Sequence, residues 1–121
     1  MARIKDEERE HRIHYEIIVD AYDEYEQAMG WYYHFAEKLK FPIKAVINLP
    51  LRGGKTEKKT VEIVEVDPKS ETNLNLRLGI VEGTSKRVQY ISPEQIESVQ
   101  TTDENVDVLN DWLYWHDYKL L

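Results

Sequence analysis

Apolar residues recur at alternating intervals of four and three through the first third of the chain, which is the pattern of one buried face of an α-helix. This stripe comprises Ile18, Tyr22, Tyr25, Met29, Tyr32, Ala36 and Leu39. A second apolar line joins Trp31 to Phe35, one helical turn apart. Gly30 lies inside the pattern and indicates either a close approach of another segment or a break between two helices. Pro42 sets the end, so the pattern predicts a helical segment over residues 6–41.

From residue 44 the period changes to two, which is typical of strands. The apolar runs predict five short strands over residues 45–49, 61–66, 74–80, 88–91 and 96–101. The alternation shifts phase between Ile63 and Val64, which predicts a β-bulge. Residues 92–95 predict a single helical turn in which Ser92 and Gln95 form a capping box. Five strands with one turn before the last favour a small SH3-like antiparallel barrel over residues 44–101.

The end of the chain predicts a second helical segment over residues 103–118, with Thr102 or Asp103 as its N-cap. Its apolar side is formed by Val106, Leu109, Leu113 and His116, with Trp112 alongside. We therefore expect an α+β fold in a single domain, residues 1–121, in which a five-stranded barrel is flanked by two acidic helical segments. Those segments should lie together, because each has an aromatic face to bury and neither is stable alone.

The net charge of −7 is confined to the two ends of the chain. Residues 1–40 carry −4 and residues 103–121 carry −4, whereas the middle is near neutral at +1. Such acidic segments repel nucleic acid and anionic membranes and attract cations or basic proteins. The chain has no cysteine, which excludes disulfides and thiolate metal sites. No apolar run approaches the roughly 18–20 residues that span a bilayer, and the first residues are too charged for a signal peptide, so a cytoplasmic location is expected.

The densest acidity lies in four carboxylates: Asp20, Asp23, Glu24 and Glu26. On a helix, the first three project from one face, because residues three and four apart are neighbours. Calcium takes about six to eight oxygen ligands and accepts irregular geometry. Asp107 and Asp111, four residues apart, offer further carboxylates from the last segment. These six acids are the candidate metal ligands, and the alternative is an ordinary solvated helix face.

An EF-hand loop is excluded by spacing. Counted from Asp20, the sixth position is Tyr25 instead of glycine, and the twelfth is Trp31 instead of glutamate. A calcium site in this chain would therefore be of another kind.

Two blocks of sequence resemble a known family. Residues 20–22 (DAY), 28–33 (AMGWYY) and 38–42 (KLKFP), together with Asp111-Trp112 and Tyr114-Trp115, are similar to the signature of the cyanobacterial-type calcium-binding protein (CcbP) family. The resemblance implies binding of Ca²⁺ through acidic side chains without an EF-hand. Independently of the resemblance, aromatic residues near the acids can hold them on a rigid support, and we assign this role to Trp31, Tyr32, Trp112 and Trp115.

Two positions depart from the family pattern. Tyr25 stands where an acid is common, and Ala36 stands beside Glu37 where two adjacent acids are common. The loss of two carboxylates would weaken calcium binding or remove one of several sites.

The sequence therefore predicts a non-EF-hand calcium buffer or sensor. The rival interpretation is a protein-interaction module whose acidic helical face docks a basic partner. An enzyme is not expected, because no nucleophile stands beside a base and Gly53-Gly54 lacks a phosphate-binding motif. Preference for calcium over magnesium discriminates the first two functions.

Overall fold

A computed structural model describes residues 6–71 and 75–121. These residues form three α-helices and five strands. In chain order they are α1 (Glu7–Arg12), α2 (Glu24–Lys38), β1 (Ile43–Pro50), β2 (Thr56–Val66), β3 (Leu78–Val81), β4 (Gln89–Ile91), β5 (Ile96–Gln100) and α3 (Asp103–Trp115). A π-helical turn, Ile13–Ile17, continues α1, and the predicted helical turn before β5 is the 3₁₀ turn Pro93–Gln95.

The five strands form one antiparallel sheet in the order β4-β3-β2-β1-β5. β4 and β5 follow each other in the chain but lie at opposite edges, and no described strand pair joins them. The five antiparallel strands are therefore confirmed, while the closed barrel is not, because the sheet stays open between β4 and β5.

The local features of the sheet agree with the alternation of apolar and polar residues along the sequence. The register between β2 and β3 shifts between Ile63 and Glu65, which is the predicted bulge. The capping box of Ser92 and Gln95 is present at the turn before β5. The predicted strand over residues 74–80 is observed only as β3; Leu76 is buried before the strand begins, and Leu74 lies outside the described residues.

The helical segment over residues 6–41 is interrupted, and this changes its buried face. The chain leaves the helix between Ile17 and Glu24, so the first and second halves of the predicted stripe are out of phase. Tyr22 is 86% exposed and Tyr25 is 46% exposed, so the stripe is wrong at these positions. The line that is buried in α2 joins Trp31 and Phe35.

A close approach explains the glycine within α2. A Cβ at Gly30 would overlap the backbone carbonyl oxygen of Ile17. The π-helical turn therefore packs against the α2 backbone itself, and the core continues from there into α3 through Leu109 and Leu113.

Polar contacts join the two ends of the chain, as expected for acidic segments that lie together. Asn105, which is buried in α3, donates to the carbonyl of Lys40 at 2.9 Å and accepts from the Lys40 N–H at 2.9 Å. The N-cap of α3 is Thr102, and its C-cap is His116, so the helix ends before the predicted residue 118. None of the helices in residues 6–71 and 75–121 combines the length and apolarity of a membrane span.

Candidate functional site

The four acids Asp20, Asp23, Glu24 and Glu26, which we call the loop acids, surround the start of α2 instead of sharing one helical face. Asp20 is exposed and lies before the helix with a left-handed φ of 57°. Asp23 is the N-cap of α2, and its Oδ1 accepts the Glu26 N–H at 2.8 Å. Glu26 in turn accepts the Tyr22 N–H at 3.3 Å. The predicted single face of Asp20, Asp23 and Glu24 is therefore wrong, because the chain is not helical between Ile17 and Glu24.

Asp111 is the most buried carboxylate among the candidate ligands, with 1% of its side chain exposed. Its Oδ1 accepts from Arg9 Nη1 at 2.6 Å and from Arg12 Nη2 at 2.6 Å, and its Oδ2 accepts from Arg12 Nε at 2.8 Å. The hydrogen bond to Asp111 raises the pKa of Arg12 above its ordinary value. Two arginines of the first helical segment thus already neutralise this carboxylate.

A groove of about 740 Å³ lies between the π-helical turn, α2 and α3. Four carboxylates from these three elements line it, and we call them the groove acids: Glu16, Glu37, Glu104 and Asp107. The Asp111–Arg12 pair forms part of its wall, and Lys38 is its other cationic lining residue. The groove is therefore anionic overall, because four carboxylates face one lysine once the pair is set aside.

His34 also lines the groove. Its Nε2 is buried without a hydrogen-bond partner. Burial lowers the pKa of His34, and this effect exceeds the opposing influence of Asp111. The imidazole is therefore neutral near pH 7 and adds no positive charge to the groove.

The groove acids suit a hard cation in chemistry. Their donors are carboxylate oxygens, which calcium prefers, and no thiolate competes because the chain has no cysteine. In the part of the chain that the structure describes, no three acidic or histidine side chains lie close enough together to hold a metal. A calcium ion would therefore need the long Glu side chains to turn inward, with water completing its ligands.

Asp107 was predicted from the sequence as a candidate ligand, whereas Glu16, Glu37 and Glu104 were not. These three glutamates come from three different elements and form no local motif, so no pattern in the sequence groups them. The net charge of both ends was the available signal, because it placed the anionic residues of the first and last segments together.

The predicted aromatic support lies apart from the groove. Trp31 is 2% exposed and Trp112 is 8% exposed, whereas Trp115 and Tyr32 are half-buried. The three tryptophans line a second cavity of about 430 Å³ between α2, α3 and the turn before β5. Trp112 stacks on His116 there, with ring centroids 4.2 Å apart.

An open antiparallel sheet flanked by acidic helices that enclose an anionic groove defines a small α+β protein suited to bind cations. A family model for calcium binding, Calci_bind_CcbP, matches residues 11–116. This chain belongs to the CcbP family, whose function is calcium binding.

Solved structures agree with this assignment. The crystal structure of Anabaena CcbP is 37% identical with a TM-score of 0.86, and the match covers 99% of this chain and 100% of that one. A calcium-binding protein in its calcium-binding form is 36% identical with a TM-score of 0.79, and the match covers 96% of each chain. No curated protein matches this chain.

Proposed function

We propose that this protein binds Ca²⁺ in the groove between the π-helical turn, α2 and α3, with the groove acids as its ligands. The observation that supports the proposal is that four carboxylates from three elements line one anionic groove. Glu37 and Asp107 are the central pair, because Glu37 belongs to α2 and Asp107 to α3, the two helices that enclose the groove. Asp111 is left out of the ligand set, because it is buried and held by two arginines.

The loop acids are proposed as a second and weaker calcium site. Asp20 and Glu24 are exposed, and their carboxylates accept no described hydrogen bond from the protein. Asp23 and Glu26 keep one oxygen each for a cation, since their other oxygens serve the start of α2. The loop acids come from one short segment, whereas the groove acids come from three packed elements, so we place the loop site second.

The first test is a calorimetric titration of calcium into metal-stripped protein at about 0.15 M salt, with excess magnesium as the ion control. We expect saturable heat with calcium and none with magnesium. The double variant Glu37→Gln/Asp107→Asn should weaken binding by at least about tenfold, because ligand charge sets affinity in such sites. Glu57→Gln, at an exposed position on β2, is the matched control and should change nothing.

The outcomes separate the site from the function. If calcium gives no heat at millimolar concentration, the proposed function is wrong. If the groove variant binds like the parent while Asp20→Asn/Glu24→Gln loses affinity, calcium binding stands and the site is the loop.

We favour a sensor role over a buffer role because of where the groove lies. An ion held by carboxylates of three elements favours the arrangement in which those elements are closed around it. Calcium should then slow amide hydrogen exchange in α2 and α3, whereas a buffer would bind with unchanged exchange outside the ligands. We propose that this takes place in the cytoplasm and without catalysis by this chain.

A basic protein partner is the second candidate function. The observation that favours it is the exposure of Tyr22 and Tyr25 next to the loop acids. Aromatic side chains among acids are suited to a cationic surface. Selectivity discriminates the two functions, because an acidic docking surface responds to calcium and magnesium alike at fixed ionic strength.

A further inference from the structure

The second cavity, which we call the tryptophan cavity, holds all three tryptophans of the chain: Trp31, Trp112 and Trp115. Two exposed acids, Glu24 and Glu94, also line it. No lysine or arginine of the described residues lines it. The cavity is therefore aromatic and anionic at once, which is the combination that binds organic cations.

The volume separates an organic cation from a metal ion. About 430 Å³ is roughly fourteen times the 30 Å³ that one water takes in the liquid. It lies within the range of roughly 300–1,000 Å³ for sites that take organic ligands. With two carboxylates and an aromatic wall, the cavity has too few charged oxygens and too much room for calcium alone.

Trp31 and Trp112 are 2% and 8% exposed, so the aromatic surface that a guanidinium could reach belongs to Tyr118 and Trp115. Tyr118 is 40% exposed and lies parallel to Trp112, with ring centroids 5.6 Å apart and planes 6° apart. Glu94 supplies a carboxylate near His116. Burial lowers the pKa of His116, so the imidazole is neutral near pH 7 and does not offset that carboxylate.

The surface next to the cavity is also negatively charged. Glu24 belongs both to the cavity lining and to the loop acids, so the anionic surface runs from the cavity to Asp20 and Asp23 without a base between them in the sequence. The Trp31 indole N–H is buried in this wall without a hydrogen-bond partner. A ligand with one cation would fill the cavity only, whereas a basic peptide also meets the loop acids.

We propose that the tryptophan cavity receives an arginine side chain from a basic segment of a partner protein. The guanidinium lies against the aromatic wall between Glu24 and Glu94, and further basic residues of the segment contact the loop acids. This names the contact point of the second candidate function and rests on it, but it does not depend on calcium.

The test uses intrinsic fluorescence, because every tryptophan lies in this cavity. The probe is the peptide acetyl-Lys-Gly-Arg-Gly-Lys-amide, titrated into metal-stripped protein with a chelator present. Its control is the same peptide with citrulline, which has the shape of arginine without the charge. We expect a saturable change of tryptophan emission and about three- to tenfold tighter binding of the arginine peptide.

Glu94→Gln should weaken arginine-peptide binding about threefold or more while leaving the calcium titration unchanged. Glu57→Gln, a matched loss of charge outside the cavity, should bind the peptide like the parent. Tyr118→Ala, at an exposed wall position, should also weaken the peptide without loss of folding.

Four results would overturn the proposal. If the citrulline peptide binds as tightly as the arginine peptide, the cavity does not recognise the charge of arginine and the proposal is wrong. Unchanged peptide binding by both Glu94→Gln and Tyr118→Ala places a basic partner elsewhere on the protein. Argininamide that binds as tightly as the peptide makes the cavity a small-molecule site instead of a docking site. If neither peptide binds at millimolar concentration, both the second candidate function and the proposed contact in the tryptophan cavity are wrong.

Discussion

At the scale of single residues, the role of Asp111 is decided by its partners. As a carboxylate four residues from Asp107, it has the spacing of a metal ligand. Its burial and its hydrogen bonds to Arg9 and Arg12 make it the anion that fastens the first helical segment to α3. A buried carboxylate held in this way stabilises the arrangement of the chain, since its removal leaves two cations without their partner.

Asp111→Asn should lower the free energy of unfolding by about 2–3 kcal/mol. This is less than the loss of a fully buried pair, because Arg9 and Arg12 keep 13% and 35% of their side chains exposed and regain some hydration. Urea denaturation measures the change. Asp107→Asn, at an exposed position of the same helix, is the control and should stay within about 0.5 kcal/mol. Equal small effects of both variants would contradict the structural role of Asp111.

Gly30→Ala should destabilise the protein by about 1–3 kcal/mol, although alanine is the better helix former. The reason is the overlap of the new Cβ with the carbonyl oxygen of Ile17, a backbone atom that cannot turn aside. Thermal and urea unfolding both report this loss. Ala28→Gly, in the same helix, gives the ordinary cost of about 1 kcal/mol for comparison. A stabilised Gly30→Ala would show that the π-helical turn does not pack this closely.

At the scale of elements, the sequence predicted those features of helices and strands that depend only on neighbouring residues. The bulge in β2 and the capped turn at Ser92 were predicted, because phase shifts and capping residues act within a few positions. The buried face of the first helical segment was predicted wrongly at Tyr22 and Tyr25. The break before α2 resets the helical phase; Asp23 caps the start of α2, and the chain before the break packs closely on Gly30 through Ile17.

Asn105→Ala should cost about 2–4 kcal/mol in unfolding free energy, because the Asn105 side chain joins α3 to the end of α2. Its amide donates to the Lys40 carbonyl and to Thr101 Oγ1 at 2.8 Å, and its oxygen accepts the Lys40 N–H. The variant leaves these part-buried groups unsatisfied, at about 1–3 kcal/mol for each buried group. Hydrogen exchange of the Lys40 amide should rise with it. An unchanged rate at that amide would mean that other contacts hold the two helices together.

At the scale of the whole molecule, acid should destabilise the protein through two partly desolvated histidines, the half-buried His34 and the more exposed His116. Burial lowers the pKa of His34 and of His116 from the ordinary value of 6.5. Above about pH 7 both folded and unfolded states are neutral and the histidines contribute nothing. As the pH falls below 6.5, the unfolded state takes up protons that the folded state resists, so stability is lost.

His34→Gln should therefore reduce the loss of stability between pH 7.5 and about pH 5.5. Asp111 and Glu16 favour the charged imidazole whereas Arg12 and Lys38 oppose it, and the desolvation of the ring exceeds both. Urea midpoints at the two pH values measure the slope. His11→Gln, at an exposed position in α1, should leave the slope as it is in the parent. A slope that is the same in all three proteins would contradict a desolvated His34.

The sequence by itself determined the class of the fold, the five strands, the caps and the family, because each depends on short-range periodicity or on a run of matching residues. It also placed the negative charge at both ends of the chain. Only the tertiary structure decided which carboxylates line one groove. Glu16, Glu37 and Glu104 line it together because helices far apart in sequence pack against one another, and the same packing pairs Asp111 with Arg9 and Arg12.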